Sequence, residues 1–424
     1  MRTLLAKLLL GLGMLLLVLP LPAASLLIPM DVAQANHLKA YGVSYWVLHQ
    51  EVDVEWLLNY RGGSFLCEYY KSFEEELLLR GVSYEIVSDA QTLKLKEQIK
   101  SPSSNMDIVK LEVPPKIAVY SPKTKQPWDD AVTLVLTYAE IPYDVVYDQE
   151  VLRDKLAEYD WLHLHHEDFT GQYCKLHRTF GSTNWYKAEK REAEALAKEF
   201  GFKKVSELKR AVAKKIKEYC VGGGFLFAMC SAADTYDLAL AAEGVDICAP
   251  MYDGDAMDIH MNQKLNYENT FAFKDFQLVE DPLRVEFSNI DNQSFERNGI
   301  TEENDYFKLF QFSAKWDPIP TMLTQNHASN IKGFMGLTTA FKKEFLKPEV
   351  IIMGETPEAN EVRYIHGVIG KGTWTFYGGH DPEDYRHTLN EEPTDLNLHP
   401  NSPGYRLILN NVLFPAAKKK KKIT

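Results

Sequence analysis

The stretch GGGFLFAMCSAAD, Gly222 to Asp234, decides the fold. Glycines open it, five apolar residues from Phe225 to Met229 follow, and Cys230 gives way to a helix-like run from Thr235 to Ala242. An apolar run without polar alternation reads as a strand covered on both faces, and a strand that feeds straight into a helix is the repeating unit of a parallel sheet. Working outward, KIAVY (Lys116 to Tyr120), a helical stretch near Asp129 to Glu140, YDVVY (Tyr143 to Tyr147) and DWLHLHH (Asp160 to His166) repeat the alternation upstream. A long helix from about Val205 to Tyr219 leads back to the glycines. Downstream, VIIMG, EVRYIHGV and GTWTFYGGH restore strands between residues 350 and 380, the last two joined as a hairpin at Gly370 to Gly372. The expected fold is α/β, with a doubly wound, mostly parallel sheet and right-handed crossovers.

The remaining segments divide around that sheet. Residues 1–25 read as a secretory signal peptide, with Arg2 and Lys7 as its charged start, Leu8 to Leu19 as its apolar run, and cleavage after Ala24 or Ser25. That run is short for a membrane span of ~20 residues. The chain is therefore expected to be exported, to the periplasm or the outside of the cell. Residues 26–112 read as an N-terminal α/β region, with NYRGGSF (Asn59 to Phe65) as a turn, Asp89 as a helix N-cap and Lys100 to Pro115 as a linker. Residues 113–415 form the main domain, in which weak periodicity marks an elaborated insertion at about 250–348. Residues 416–424 are a lysine-rich tail.

Composition narrows the function classes. With 47 Lys+Arg against 59 Asp+Glu the net charge is -12, and the basic residues of the two ends make the body between them more acidic still. Such a surface excludes nucleic acid as an expected partner, because phosphate binding rests on Lys and Arg. Lys418 to Lys422 offer only a weak contact with an anionic membrane surface. Five cysteines in 424 residues exclude a disulfide scaffold. The sequence points to a small-molecule substrate or ligand and leaves the oligomeric state open.

Two constellations carry chemistry. Cys230 sits at a strand-to-helix turn, exposed at the carboxyl end of the sheet and facing the positive end of a helix, a setting that lowers a thiol pKa and makes a nucleophile. The Ser231 N–H is placed to hold an oxyanion. GGHDPEDY supplies His380 as a base, with Asp381, Glu383 or Asp384 to orient it. The second constellation is LHLHHEDF, with His163, His165, His166, Glu167 and Asp168 at another strand end. Strand alternation puts His163 and His165 on one face and His166 on the other. Here His165, His166 and Glu167 line the same crevice as Cys230, or His163, His165, His166 and Asp168 hold a divalent metal, with Asp253, Asp255, Asp258 and His260 of YDGDAMDIH to complete the shell. Lys125 and Trp128, after the first parallel strand, are further crevice candidates. Arg61 in the RGGSF loop is a candidate anion contact.

The elbow around Cys230 and the His380-Asp381-Pro382-Glu383 stretch resemble class I glutamine-amidotransferase-like domains, including ThuA-like relatives. The likeness covers roughly residues 113 to 250 and 345 to 390. It implies a flavodoxin-like sheet with Cys230 as nucleophile, His380 as its base and Glu383 as the orienting acid. Two departures stand out: the elbow reads A-M-C-S-A in place of G-x-C-x-G, and one extra residue separates the histidine from the proline. The whole chain is similar to an exported Bacteroidetes-type family labelled "asparagine synthetase B", through NHLKAYGVSYWVL, WLLNYRGGSF, KQPWDDAVTLVLTYAEIPYDV, WLHLHHEDFTGQY, FYGGHDPEDY and DLNLHPNSPGYRLILNNVLFPAA. Asparagine synthetases of that type use an N-terminal cysteine and an SGG pyrophosphate loop. This chain has neither, so ATP-dependent synthesis is not expected.

Three readings follow. The first is a Cys-His hydrolase of amide-type bonds, without a cofactor, acting on a small molecule or cell-envelope compound. The second is a silent small-molecule or glycan-binding module that uses Trp128, Trp161, Trp185 and Trp374. The third is a hydrolase with a divalent metal in the histidine cluster.

Overall fold

The computed structural model describes residues 24–122, 129–292, 299–386, 388 and 391–417. Lys125, Trp128, most of the expected signal peptide and the lysine tail lie outside them. The first unit is a five-stranded antiparallel sheet. Its elements are β1 (Ala24–Ile28), α1 (His37–His49), β2 (Val54–Leu58), β3 (Ser64–Glu68), α2 (Lys71–Leu79), β4 (Glu85–Ser88), α3 (Asp89–Lys100) and β5 (Asp107–Leu111). The strand order is β4-β1-β3-β2-β5. Strand β1 begins at the expected cleavage point, and Ser25 is already in register with Glu68 and Val87.

Three local expectations change here. Ser88, not Asp89, caps α3, in a reciprocal capping box with Gln91 that satisfies backbone donors at both positions. The segment read as a linker contains β5, whose residues pair with β2 from Val54 to Leu58. Arg61 binds Asp31 and Glu85, each at 2.7 Å, so its guanidinium serves the fold and not an external anion. The turn does need its glycines: Gly62 has φ +75, and a Cβ there would stand 2.2 Å from the Met30 carbonyl oxygen.

The second unit is a ten-stranded mixed sheet. In chain order it comprises β6 (Ile117–Tyr120), α4 (Ala131–Tyr138), β7 (Asp144–Val146), α5 (Asp148–Leu152), β8 (Trp161–Leu164), α6 (Asn184–Glu199), α7 (Val205–Gly222), β9 (Phe225–Met229) and α8 (Ser231–Ala241). Then come β10 (Tyr306–Leu309), β11 (Asn330–Lys332), β12 (Phe341–Lys342), β13 (Ile351–Thr356), β14 (Glu361–Ile369), β15 (Gly372–Tyr377) and α9 (Pro403–Leu413). The order across the sheet is β11-β10-β13-β14-β15-β9-β8-β6-β7, with β12 beside β14. Strands β7, β6, β8, β9 and β15 run parallel to their neighbours in that half. The other half is antiparallel.

The fold is thus α/β with a mixed parallel and antiparallel sheet. All five residues of β9 are buried, as a strand covered on both faces requires. The segment 250–348 contributes short helical turns and the antiparallel strands β10, β11 and β12. The sheet changes between Leu111 and Ile117, yet one hydrophobic core runs through both units, from Leu26 and Tyr41 to Leu409 and Leu413. Helix α9 fastens them together. Its Arg406 is fully buried and donates to the backbone oxygens of Met30 and Gly62, and its Asn410 accepts from Tyr41.

Candidate active site

The site forms where β8, β9 and β15 end. Cys230 fills the single position between β9 and α8, with φ 51° and ψ −143°. Positive φ is costly for a residue with a Cβ, and such strain persists only where surrounding structure enforces it. The enforcement is visible. The Cys230 N–H donates to Gly379 O at 3.0 Å, the Ala232 N–H to His165 O at 2.9 Å, and the Ser231 hydroxyl to His166 O at 2.9 Å. Three strand ends are therefore stitched to one turn. Burial pushes the Cys230 thiol up to about 12, and the Ser231 N–H facing the sulfur offsets only part of that. The expected lowering by the helix end is outweighed by desolvation.

Cys230, Ser231, His166, His380, Cys174 and Phe334 line one cavity of about 220 Å³. The imidazoles are crowded. His165 and His166 stack at 3.9 Å with 11° between planes, and each ring centre lies 4.5 Å from that of His380. The chain leaves β8 at Leu164, so the strict alternation expected for His163, His165 and His166 stops one residue too early. His163 keeps its strand orientation. It packs with Trp161 and Phe227 in a three-ring cluster and points its Nδ1 at Phe227 O, 3.2 Å away.

The acid that meets the imidazoles is not one of those expected. Asp381 accepts from the Glu383 N–H, Thr394 and Tyr405, while Glu383 contacts His399 and Lys332. These bonds hold the loop after β15. Asp130 instead sets one oxygen 3.2 Å from His165 Nδ1 and 3.3 Å from His163 Nε2. Its other oxygen caps α4 by accepting from the Val132 and Thr133 N–H groups. Burial alone would raise this carboxyl, but the two imidazoles hold it well below the usual carboxylate range. The sequence signal existed, because an Asp before an apolar helical run is an N-cap pattern. Of KQPWDD, the crevice candidates Lys125 and Trp128 lie outside the described residues, and Asp130 is the residue that reaches the imidazoles.

Glu167 and Asp168 turn away from the thiol. Glu167 lines a neighbouring cavity of about 230 Å³ with Tyr147, Glu189 and Lys209, and only His166 and Cys174 line both cavities. Burial pushes Glu167 up to about 7, against the pull of Lys209. Asp168 accepts from the N–H groups of Thr170, Gln172 and Cys174 and from the Thr170 hydroxyl, which makes it the cap of its own turn and removes it from the expected metal set. Asp253 and Asp255, with Asp246, surround the Lys204 ammonium, and Asp258 holds Lys264. Trp161 and Trp374 are buried in the core, and all five cysteines are free thiols. Among the described residues no helix is long and apolar enough to cross a membrane.

No protein-family model matches the chain, and no curated protein matches it. Among solved structures it is similar to the cytoplasmic proteins STM3548 of Salmonella typhimurium (10% identity, 70% of this chain and 98% of that one, TM-score 0.34) and STM1381 of Salmonella typhimurium LT2 (12%, 70% and 98%, 0.34). It is also similar to Gan42B, a GH42 beta-galactosidase (12% identity, 63% of this chain and 28% of that one, TM-score 0.29). Likenesses at this level carry no functional argument, and the mixed α/β fold is what stands.

Proposed function

We propose that the parallel half is a doubly wound, flavodoxin-like layer of the class I glutamine-amidotransferase-like kind, and that its site hydrolyses amide-type bonds of a small molecule. Counted along the chain, the parallel strands lie in the order 2-1-3-4-5, with Cys230 after the fourth and His380 after the fifth. The observation that carries the reading is the left-handed Cys230 turn opening on a cavity shared with His380. Sulfur attacks the amide carbon as its proton passes to the imidazole. The resulting oxyanion lies toward the Ser231 N–H, and the C–N bond breaks as the imidazolium protonates the leaving amine. Water then cleaves the thioester. Burial holds the proton on sulfur at rest, so transfer is coupled to substrate binding. His165, backed by Asp130, takes the orienting place that Asp381 and Glu383 do not fill.

The signal-like start and the Bacteroidetes-type resemblance extend the proposal to an exported protein without ATP. Iodoacetamide tests the thiol: Cys230 should alkylate about tenfold faster than Cys67 or Cys220, which line neither cavity. Equal labelling sinks the nucleophile. The high thiol pKa favours a second reading, a silent binding module in this cavity. That reading requires Cys230→Ala to keep the thermal shift given by any ligand found in a small-molecule screen.

A further inference from the structure

Two imidazoles at the end of β8 share one carboxylate oxygen. His163 Nε2 and His165 Nδ1 stand 3.3 and 3.2 Å from the same Oδ2 of Asp130. We propose that this oxygen and these two nitrogens bind a divalent transition cation of the zinc class, which ties the start of α4 to the end of β8. The inference goes beyond the thiol reading and uses neither Cys230 nor His380.

The donor atoms are buried and unsatisfied. His163 and His165 are 0% and 1% exposed, and neither of the two nitrogens has a hydrogen-bond partner. A buried polar atom left this way costs stability unless something binds it. The two rings cross at 61° with centres 5.4 Å apart, so their nitrogens can converge, and the three ligand atoms lie within 4.8 Å of one another.

Proton placement at His163 points the same way. Its Nδ1 is 3.2 Å from the Phe227 carbonyl oxygen, which can only accept, so Nδ1 carries the ring proton. Nε2 then turns a lone pair toward a carboxylate oxygen, and two acceptors face each other. A second ring proton would relieve them, but burial of His163 opposes it. A cation between them relieves them without charging the ring.

The distances fit such an ion. Bonds of about 2.0–2.1 Å in tetrahedral geometry set ligand atoms roughly 3.3 Å apart, as these N···O pairs are, whereas a direct N–H···O bond is typically ~2.9 Å. The other Asp130 oxygen accepts from the Val132 and Thr133 N–H groups, which fixes the carboxylate as outer partners fix metal ligands. Among the described residues no Lys or Arg pairs with Asp130 to compete for its charge. Two nitrogens and one oxygen select zinc-class ions over calcium or magnesium, which prefer oxygen alone.

The test frees the full chain of metal with a chelator, then titrates it with zinc against a chromophoric competitor and with cobalt by visible absorption. One ion per chain and an intense tetrahedral cobalt spectrum are expected. Loss of an outer partner alone costs about 10- to 100-fold, so Asp130→Asn and His163→Ala should each weaken zinc by about 100-fold or more. His380→Ala and Cys230→Ala should change it little. Weak, non-stoichiometric binding, an octahedral cobalt spectrum, or affinity unchanged in Asp130→Asn overturns the site. If His163→Ala unfolds, Asp130→Asn decides, because asparagine still caps α4. Zinc binding without Cys230 alkylation in the metal-free chain would remove the thiol reading and leave this one.

Discussion

Two acids, one buried and one half-buried, flank the segment from His163 to Asp168, and they are neutralised in different ways. Asp148, fully buried, has the Lys209 ammonium at 3.1 Å, with Tyr120 and Tyr147 completing the shell. Burial alone would strip Lys209 of its proton, but Asp148 and Glu167 hold it on. Among the described residues Asp130 has no ammonium or guanidinium partner, only imidazoles and two helix N–H groups. The first is a closed ion pair that fixes α7 against α5, with Tyr120 of β6 bonded to both partners. The second is a carboxylate faced by two imidazoles and capping a helix. The two should therefore differ in how much stability they carry.

The sharpest way to break that contrast is Lys209→Met. It strands the Asp148 charge in the interior and should cost about 3–5 kcal/mol by urea denaturation, with most of it recovered when Asp148→Asn is added. A loss below about 1 kcal/mol would mean that the pair is not closed at all.

A third cluster inverts the second. His37 and His327 stack at 4.1 Å beside Arg406, so their imidazoles neighbour a cation where those of the site neighbour an anion. Burial and Arg406 push His37 down to about 4 and His327 to about 3. The folded values lie below the ordinary 6.5, so the unfolded chain binds more protons between about pH 4 and 6.5. Stability is then full above that window and falls as pH drops through it. For His37 alone the loss is about 2 kcal/mol at pH 5. His37→Asn should flatten the slope of stability against pH in that range, and an unchanged slope would refute the assignment.

Asp130→Asn is the smaller companion to Lys209→Met. Asparagine still caps α4 and no cation is orphaned, so stability should change by less than about 1 kcal/mol. A stability loss as large as that of Lys209→Met would make the two clusters alike and remove the contrast.

What the sequence revealed follows the same division between closed and open structure. The parallel strands were legible because full burial on both faces writes an unbroken apolar run, as in FLFAM. β10 was not, because Tyr306 to Leu309 alternate exposed and buried near the sheet edge inside a segment of weak periodicity. β5 hid in a stretch rich in serine and proline, with only Leu111 fully buried. At the site, Cys230 and His380 were legible from position alone. His165 and His166 were read into one crevice, but their face-to-face stacking was not legible, since strand alternation ends with β8. Asp130 was invisible as a partner because its two roles, cap and imidazole contact, join residues some 30 apart in sequence.

The smallest effect tests whether the turn that presents Cys230 is strained for function. In an ordinary helix or strand glycine is less stable than alanine by roughly 0.5–1 kcal/mol. At φ 51° and ψ −143° the order should reverse, because only glycine adopts that backbone without a Cβ penalty. Cys230→Gly should therefore be more stable than Cys230→Ala by about 1 kcal/mol in the same denaturation assay. Reversal ties the strain to position 230, which means a non-glycine residue is kept there at a cost that a reactive or binding role would justify. The normal order would show the turn to be relaxed and Cys230 to be packing, which would leave the imidazoles alone as the chemical part of the cavity.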